Sequence, residues 1–212
     1  MIVIVDYGMG NLRSVHKALE RVGFPAVVTQ DPSLIGRADG MVLPGVGAFK
    51  KAMENLEHLR LVDPILEFIQ SGKPFLGICL GFQLLFSESE EFSRYRGLDV
   101  FKGEVIRFPF SLPGAPRAKD SLKVPHMGWN SVRIRKPIPA LEGIEEGTHF
   151  YFVHSYLPVP QDPEIIATTT DYGGEFASSV GKDHLFACQF HPEKSQSAGL
   201  KILRNFGRLA QP

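Results

Sequence analysis

Three observations predict an α/β protein with an open, mainly parallel twisted sheet, helices on both faces, and additional short antiparallel strands in the middle of the chain. Apolar runs of strand length alternate with amphipathic helical segments through the N-terminal part. One such run, Phe75–Cys79, passes through a glycine-flanked turn into another apolar segment. Residues 98–180 then lose helical periodicity and carry Gly, Pro, Thr, Val and aromatics instead. A chain of 212 residues buries a core without staples, and there is no internal repeat or long low-complexity tract, so residues 1–212 are expected to form one domain.

Ile2–Val5 has the length and composition of a buried strand. Asn11 is a candidate cap for a helix whose Leu12, Val15, Leu19 and Val22 share one face, and Gly23 and Pro25 end it. Ala26–Thr29 and Gly40–Leu43 are the next strands, followed by a glycine loop and helices near Phe49–Leu59 and Leu61–Ile69. Beyond the strand at Phe75, short strands are expected near Val100–Phe108, Ser131–Ile134, His149–Val153, Ile165–Thr170 and Phe176–Val180. Pro109–Asp120, rich in Pro and Gly, is expected to be a surface loop. The apolar run before His191 is a further buried strand, and a last helix near Ala198–Leu209 presents Leu200, Leu203 and Phe206 to the core.

The charge balance excludes several classes of partner. With 23 basic and 23 acidic residues the formal net charge is zero, which argues against nucleic acid and anionic membrane as main partners. The two cysteines sit in a turn and in an apolar strand, so a disulfide is not expected, and a reducing, cytoplasmic setting suits a working thiol. The N-terminal apolar run is too short and too soon charged for a signal peptide, and nothing approaches a membrane span. The histidines show no metal-ligand spacing.

Chemistry concentrates in two segments. Gly77-Ile78-Cys79-Leu80-Gly81 is a thiol version of the nucleophile elbow, a sharp strand-to-helix turn that lifts a reactive side chain clear of the sheet. Glycines tolerate positive φ and close packing there, the following helix start favours thiolate over thiol, and the Leu80 N–H is available to an oxyanion. A buried structural cysteine in a Gly-rich turn is the alternative. Near the other end, His191-Pro192-Glu193 in an extended segment puts imidazole and carboxylate on one side, about 6–7 Å apart along the backbone, with Pro192 keeping the segment from turning helical. A carboxylate so placed fixes the imidazole's tautomer. Such a pair alone is more often a surface ion pair, but its company with a thiol elbow makes a triad in the order Cys, His, Glu. Pro44-Gly45-Val46-Gly47 lies between a strand and a helix and is either an ordinary turn or a second source of oxyanion donors. Asp6-Tyr7-Gly8-Met9-Gly10-Asn11 fails as a dinucleotide loop, because Arg13 stands where the third glycine belongs.

Together the elbow through Gln83 and His191-Pro192-Glu193 resemble the class I, triad-type glutamine amidotransferase family. The resemblance implies Cys79 as nucleophile, His191 as general base and acid, and Glu193 as its orienting carboxylate. It implies an oxyanion hole from Leu80 with Gly45, Val46 and Gly47, and glutamine binding by Gln83, Ser155 and Tyr156. Phe82 stands where the family more often has Met. No cofactor and no metal are implied. The segments Asp6–Asn11, Pro125–Asn130 and His191–Ser195 resemble the branch of this family that feeds ammonia to a (β/α)8-barrel cyclase subunit in histidine biosynthesis. That resemblance implies a heterodimer in which Asn11, Trp129 and Lys194 face the partner; the glycines on both sides of Val46 allow a peptide flip at low cost, which the partner is expected to control. Trp129, read as part of a Gly-Trp-Asn turn, has a core role as its alternative. Three other readings remain: an amidotransferase serving a different acceptor, a stand-alone γ-glutamyl hydrolase, and a non-catalytic scaffold.

Overall fold

A computed structural model describes residues 1–111 and 122–211. Its elements in chain order are β1 (Ile2–Val5), α1 (Leu12–Arg21), β2 (Ala26–Thr29), α2 (Pro32–Arg37), β3 (Gly40–Gly45), α3 (Phe49–His58), α4 (Val62–Gln70), β4 (Phe75–Cys79), α5 (Leu80–Gln83), β5 (Phe86–Ser89), β6 (Tyr95–Arg96) and β7 (Phe101–Arg107). There follow β8 (His126–Ser131), β9 (Arg133–Ile134), β10 (His149–His154), β11 (Tyr156–Pro160), β12 (Ile166–Asp171), β13 (Glu175–Lys182), β14 (Leu185–Cys188) and α6 (Gln196–Leu209).

The main sheet has the order β2-β1-β3-β4-β14-β13-β12-β9. The pairings from β2 to β14 are parallel and those from β14 to β9 antiparallel. Strand alternation divides the core in two. Ile2 and Ile4 of β1 pack with α1 and α6 through Val15, Leu19, Ile202 and Phe206. Val3 and Val5 face the other way, with Ile35 of α2, Met53 and Leu56 of α3 and Phe68 of α4. A smaller sheet, β11-β7-β5-β6, joins the second core through Phe86 and Phe101, and a β10–β8 ribbon joins the first through Phe150 and Phe152.

Several expectations change. Asn11 holds the N-cap position of α1, but its side chain makes no capping bond, and the N–H groups of Ser14 and Val15 bond to its carbonyl instead. Leu200 is only partly buried, and Gly199, Ile202 and Asn205 join Leu203 and Phe206 on the inner face of α6, which begins two residues earlier than Ala198. The Gly-Trp-Asn run is strand, not turn: Trp129 pairs with Tyr151 across β8 and β10. Ser131–Ile134 is split at buried Val132 between β8 and β9. The sequence reading lacks β5 and α2, and it lacks β11, whose two prolines argue against a strand; β11 is an edge strand, where missing N–H groups cost no ladder bonds. Of the expected loop Pro109–Asp120, Pro109–Ser111 is one 3-10 turn and the remainder lies outside the described residues.

The elbow depends on glycine for close approach. Neither Gly77 nor Gly81 has a positive φ; Cys79 does, at 54°. A Cβ on Gly81 would run into the Leu43 carbonyl oxygen of β3, and one on Gly77 would sit 3.0 Å from the Ala187 Cβ of β14. Gly81→Ala is therefore expected to lower stability by about 3 kcal/mol or more, measured by urea denaturation of the full chain; a loss under about 1 kcal/mol would show that β3 yields easily.

Candidate active site

Three adjacent parallel strands end together. Gly45, the last residue of β3, lies opposite Cys79, the last of β4, and Ile78 lies opposite Cys188, the last of β14. The residues that leave those strands are Val46 and Gly47, then Leu80, then Gln189 to His191, so the carboxyl edge of the sheet gathers all of them. Cys79 turns the chain with φ 54° and ψ −106°, a sparsely populated conformation held by the packing of its neighbours. Its helix, α5, is a single turn of four residues. The dipole expected behind the sulfur is thus that of a few aligned peptides only. The sulfur accepts from Gln189 Nε2 at 3.6 Å and lies 3.9 Å from the Val153 carbonyl.

His191 Nδ1 lies 2.8 Å from Glu193 Oε1, with both side chains almost wholly buried. The pair forms although the segment is not extended: Pro192–Lys194 is a 3-10 turn with proline in its first position, where a missing N–H is no loss. Ser195 anchors the turn. Its hydroxyl donates to the His191 carbonyl at 2.7 Å and accepts the Tyr151 N–H at 2.9 Å, and the His191 N–H donates to the Tyr151 carbonyl at 2.9 Å. Among the described residues, His191 Nε2 and Glu193 Oε2 are buried without a hydrogen-bond partner of good geometry. Burial works against a charged imidazole here, but Cys79 and then Glu193 more than offset it and push His191 up to about 10. With Nδ1 committed to Glu193, Nε2 is the ring nitrogen left to act on Cys79. Cys188, by contrast, is fully buried, its thiol is pushed up by that burial, and it donates to the Phe190 carbonyl at 3.4 Å.

A cleft of about 440 Å³ opens over the sulfur. Cys79, Leu80, Val46, Gly47, Gln83, Ser155, Tyr156 and Lys194 all line it, so most of the expected site residues converge. Gly45 lies beneath the cleft instead: a Cβ there would strike the Tyr7 hydroxyl and lie 2.8 Å from the Leu80 Cβ. The Tyr7 hydroxyl donates to the Pro44 carbonyl at 2.8 Å and so pins the root of the glycine loop. Gln83 spends both amide hydrogens inside the protein, on the Tyr156 carbonyl and Gln189 Oε1, each at 3.1 Å, which leaves its oxygen for a ligand. Sequence reasoning missed Glu91, which lines the same cleft. Its Oε2 accepts the Phe49 N–H at 2.6 Å, and burial raises its carboxyl while that bond acts the other way. Glu91 follows β5, itself unexpected, so no pattern in the sequence pointed to it.

Of the three residues expected at a partner surface, two cluster. Trp129 is 47% exposed, against a core role, and meets Tyr151 edge to face at 6.2 Å. Lys194 Nζ lies 5.8 Å from the centroid of the same Tyr151 ring, and that ring is 6.5 Å from His191. Asn11, half-buried, heads α1 and is not part of this cluster.

A thiol at a strained turn with a carboxylate-held imidazole beside it suits cysteine-based acyl transfer, and the family model Glutamine amidotransferase class-I matches residues 3–209. The chain belongs to that family. Within it, the chain is 54% identical over 207 residues to the imidazole glycerol phosphate synthase subunit HisH of Syntrophotalea carbinolica, covering 98% of this chain and 99% of that one. It is also 54% identical to the HisH proteins of Geobacter sulfurreducens, over 98% of each chain, and Aquifex aeolicus, over 99% and 97%. Among solved structures, a glutamine amidotransferase superposes with a TM-score of 0.70 at 20% identity, covering 99% of both chains. PurLQS from Thermotoga maritima does so at 0.70 and 17%, covering 97% and 96%. At that identity the likeness speaks to the fold alone.

Removal of the sulfur has a measurable electrostatic consequence. In Cys79→Ala the charge that raises His191 most is gone while burial still opposes the imidazolium, so the ring should titrate at lower pH than in the parent protein. Imidazole NMR against pH reads this directly; an unchanged titration would place the raising charge elsewhere.

Proposed function

We propose that this chain is the glutamine-hydrolysing subunit of an imidazole glycerol phosphate synthase. It releases ammonia from L-glutamine in the cytoplasm and passes it to a (β/α)8-barrel cyclase subunit, which makes imidazole glycerol phosphate and aminoimidazole carboxamide ribotide in histidine biosynthesis. The observation that carries the reading is the buried His191–Glu193 pair, 2.8 Å apart and interacting with Cys79, whose side chain lines a cleft with Val46 and Gly47.

In this mechanism the Cys79 thiolate attacks the side-chain amide carbon of glutamine. The oxyanion of the tetrahedral intermediate takes hydrogen bonds from Leu80 N–H and from an N–H of the Gly45–Gly47 loop, each such donor contributing about 3 kcal/mol. Protonated His191 gives its proton to the amide nitrogen, ammonia leaves, and a γ-glutamyl thioester remains. Water then attacks the thioester, His191 takes the water's proton, and the C–S bond breaks to return glutamate and thiolate. Glu193 holds the imidazole with Nε2 toward the reacting atoms throughout. Glu91 is the carboxylate available for the substrate's α-ammonium group, and Gln83, Ser155 and Tyr156 line the same cleft.

Gly47 has φ +97°, and exposed Val46 beside it is the residue whose peptide can turn at small cost. A partner seated on Trp129, Tyr151 and Lys194 would both govern that turn and cover the route by which ammonia leaves a dry site. No helix among the described residues is long and apolar enough to cross a membrane.

Three experiments test this. Ammonia release from glutamine should rise when the cyclase and its ligand are added, and equal rates with and without them would rule out partner control. Cys79→Ala in the complex should abolish glutamine-dependent synthesis yet keep synthesis from added ammonia, and Glu193→Gln should lower kcat by about 10²- to 10⁴-fold with little change in KM. Glutaminase activity retained by Cys79→Ala would reject Cys79 as the nucleophile.

A further inference from the structure

Two buried histidines stand beside the triad without a part in its chemistry. His154, at the end of β10, lines the cleft, and His126 opens β8. The His154 Nδ1 lies 2.8 Å from the Tyr156 carbonyl, and its Nε2 lies 3.0 Å from His126 Nδ1. The His126 Nε2 lies 3.3 Å from Asn130 Nδ2. Asn130 in turn donates to the Asp171 carbonyl at 2.9 Å and accepts the Ser131 N–H at 2.8 Å on Oδ1, which settles its amide orientation.

These contacts leave no freedom of direction. A carbonyl only accepts, so His154 Nδ1 carries the hydrogen and the neutral ring accepts at Nε2. His126 must then donate from Nδ1 and accept at Nε2, where the Asn130 amide donates. A second proton on either ring would set donor against donor somewhere along the chain. We propose that Asn130, His126 and His154 are positioning residues: a one-way relay of two neutral imidazoles, each the Nδ1–H tautomer, that ties strand β8 to the substrate-side wall at Tyr156. The same Tyr156 carbonyl accepts from Gln83, which donates to Gln189, which donates to the Cys79 sulfur. The relay thereby joins the strand that bears Trp129 to the nucleophile through an unbroken run of hydrogen bonds.

The surroundings suit uncharged rings. His126 is stacked between Tyr172, with centroids 3.9 Å apart, and Phe152 at 4.8 Å, and Phe108 and Phe176 close the sides. Burial holds His126 down at about 4 and His154 at about 3, the reverse of His191 beside the sulfur.

The inference rests on the glutaminase reading only for the identity of the ligand at that wall, and its first test needs no activity. Imidazole NMR of the full chain should show both rings neutral and protonated on Nδ1 from about pH 5.5 to 8. An Nε2–H tautomer or a titration of either ring in that range would overturn the relay. In Asn130→Asp the donor becomes an acceptor, so His126 should gain a second proton and titrate at higher pH; an unmoved His126 would remove Asn130 from the chain. In the complex, His154→Leu should raise the KM for glutamine about tenfold, whereas His154→Asn, whose amide replaces the Nδ1 donor, should stay within about threefold of the parent. Equal KM values for the parent and the Leu variant, or no rescue by Asn, would overturn the positioning role. An inactive parent complex would instead mark failure of the glutaminase reading, with the NMR result untouched.

Discussion

The site rests on how closely β3 approaches the turn after β4. At Gly81 the chain passes so near the Leu43 carbonyl that no side chain fits, and at Gly77 the next strand, β14, leaves little more. Squeezed between the two, the turn places its unusual backbone conformation on Cys79, at a cost of about 1–3 kcal/mol that the surrounding core outweighs. The return is position. The sulfur leaves the sheet edge, Leu80 lines the same cleft, and the loop after Gly45 lies alongside because β3 and β4 are in register. A looser turn would relieve the strain and lose the alignment.

Three buried histidines near one cleft behave in opposite ways, and distance to charge explains it. His191 has a carboxylate on one nitrogen and the sulfur before the other, so the charged ring is favoured in spite of burial. Among the described residues, His126 and His154 meet each other, a carbonyl, an amide and aromatic faces, and burial, helped at His154 by its histidine neighbours, holds both down. A neutral relay and a chargeable base thus coexist because β10 carries one on its inner face while the turn after β14 carries the other.

Much of the fold was legible because the parallel strands are apolar runs, even at edge strand β2 where Val27 and Val28 are exposed, and the helices between them are not. Ile2–Val5, Ala26–Thr29 and Phe75–Cys79 are strands where the run of residue types says so, and α1, α3 and α4 follow their apolar periodicity. The candidate triad stood out because a thiol between two glycines and a His-Pro-Glu run occur in one short chain. What escaped has specific causes. The prolines of β11 mask a strand that needs no ladder bonds on its outer side, α2 is too short for a period to register, and Trp129 in its glycine-bearing segment imitates a turn until β10 pairs with it. Glu91 has no local signal at all, since a carboxylate's value there comes from the Phe49 N–H forty-two residues earlier.

The sequence by itself determined which groups could react and which elements would carry them, because residue type and local spacing govern both nucleophile chemistry and hydrophobic face. Only the tertiary structure decided that Cys79 bears the backbone strain and the glycines the close contacts, that a 3-10 turn and not an extended segment joins His191 to Glu193, and that His126 and His154 share one hydrogen-bonded line. Each of these follows from strand order and register. They bring together residues far apart in the chain, and no local pattern encodes which of them will meet.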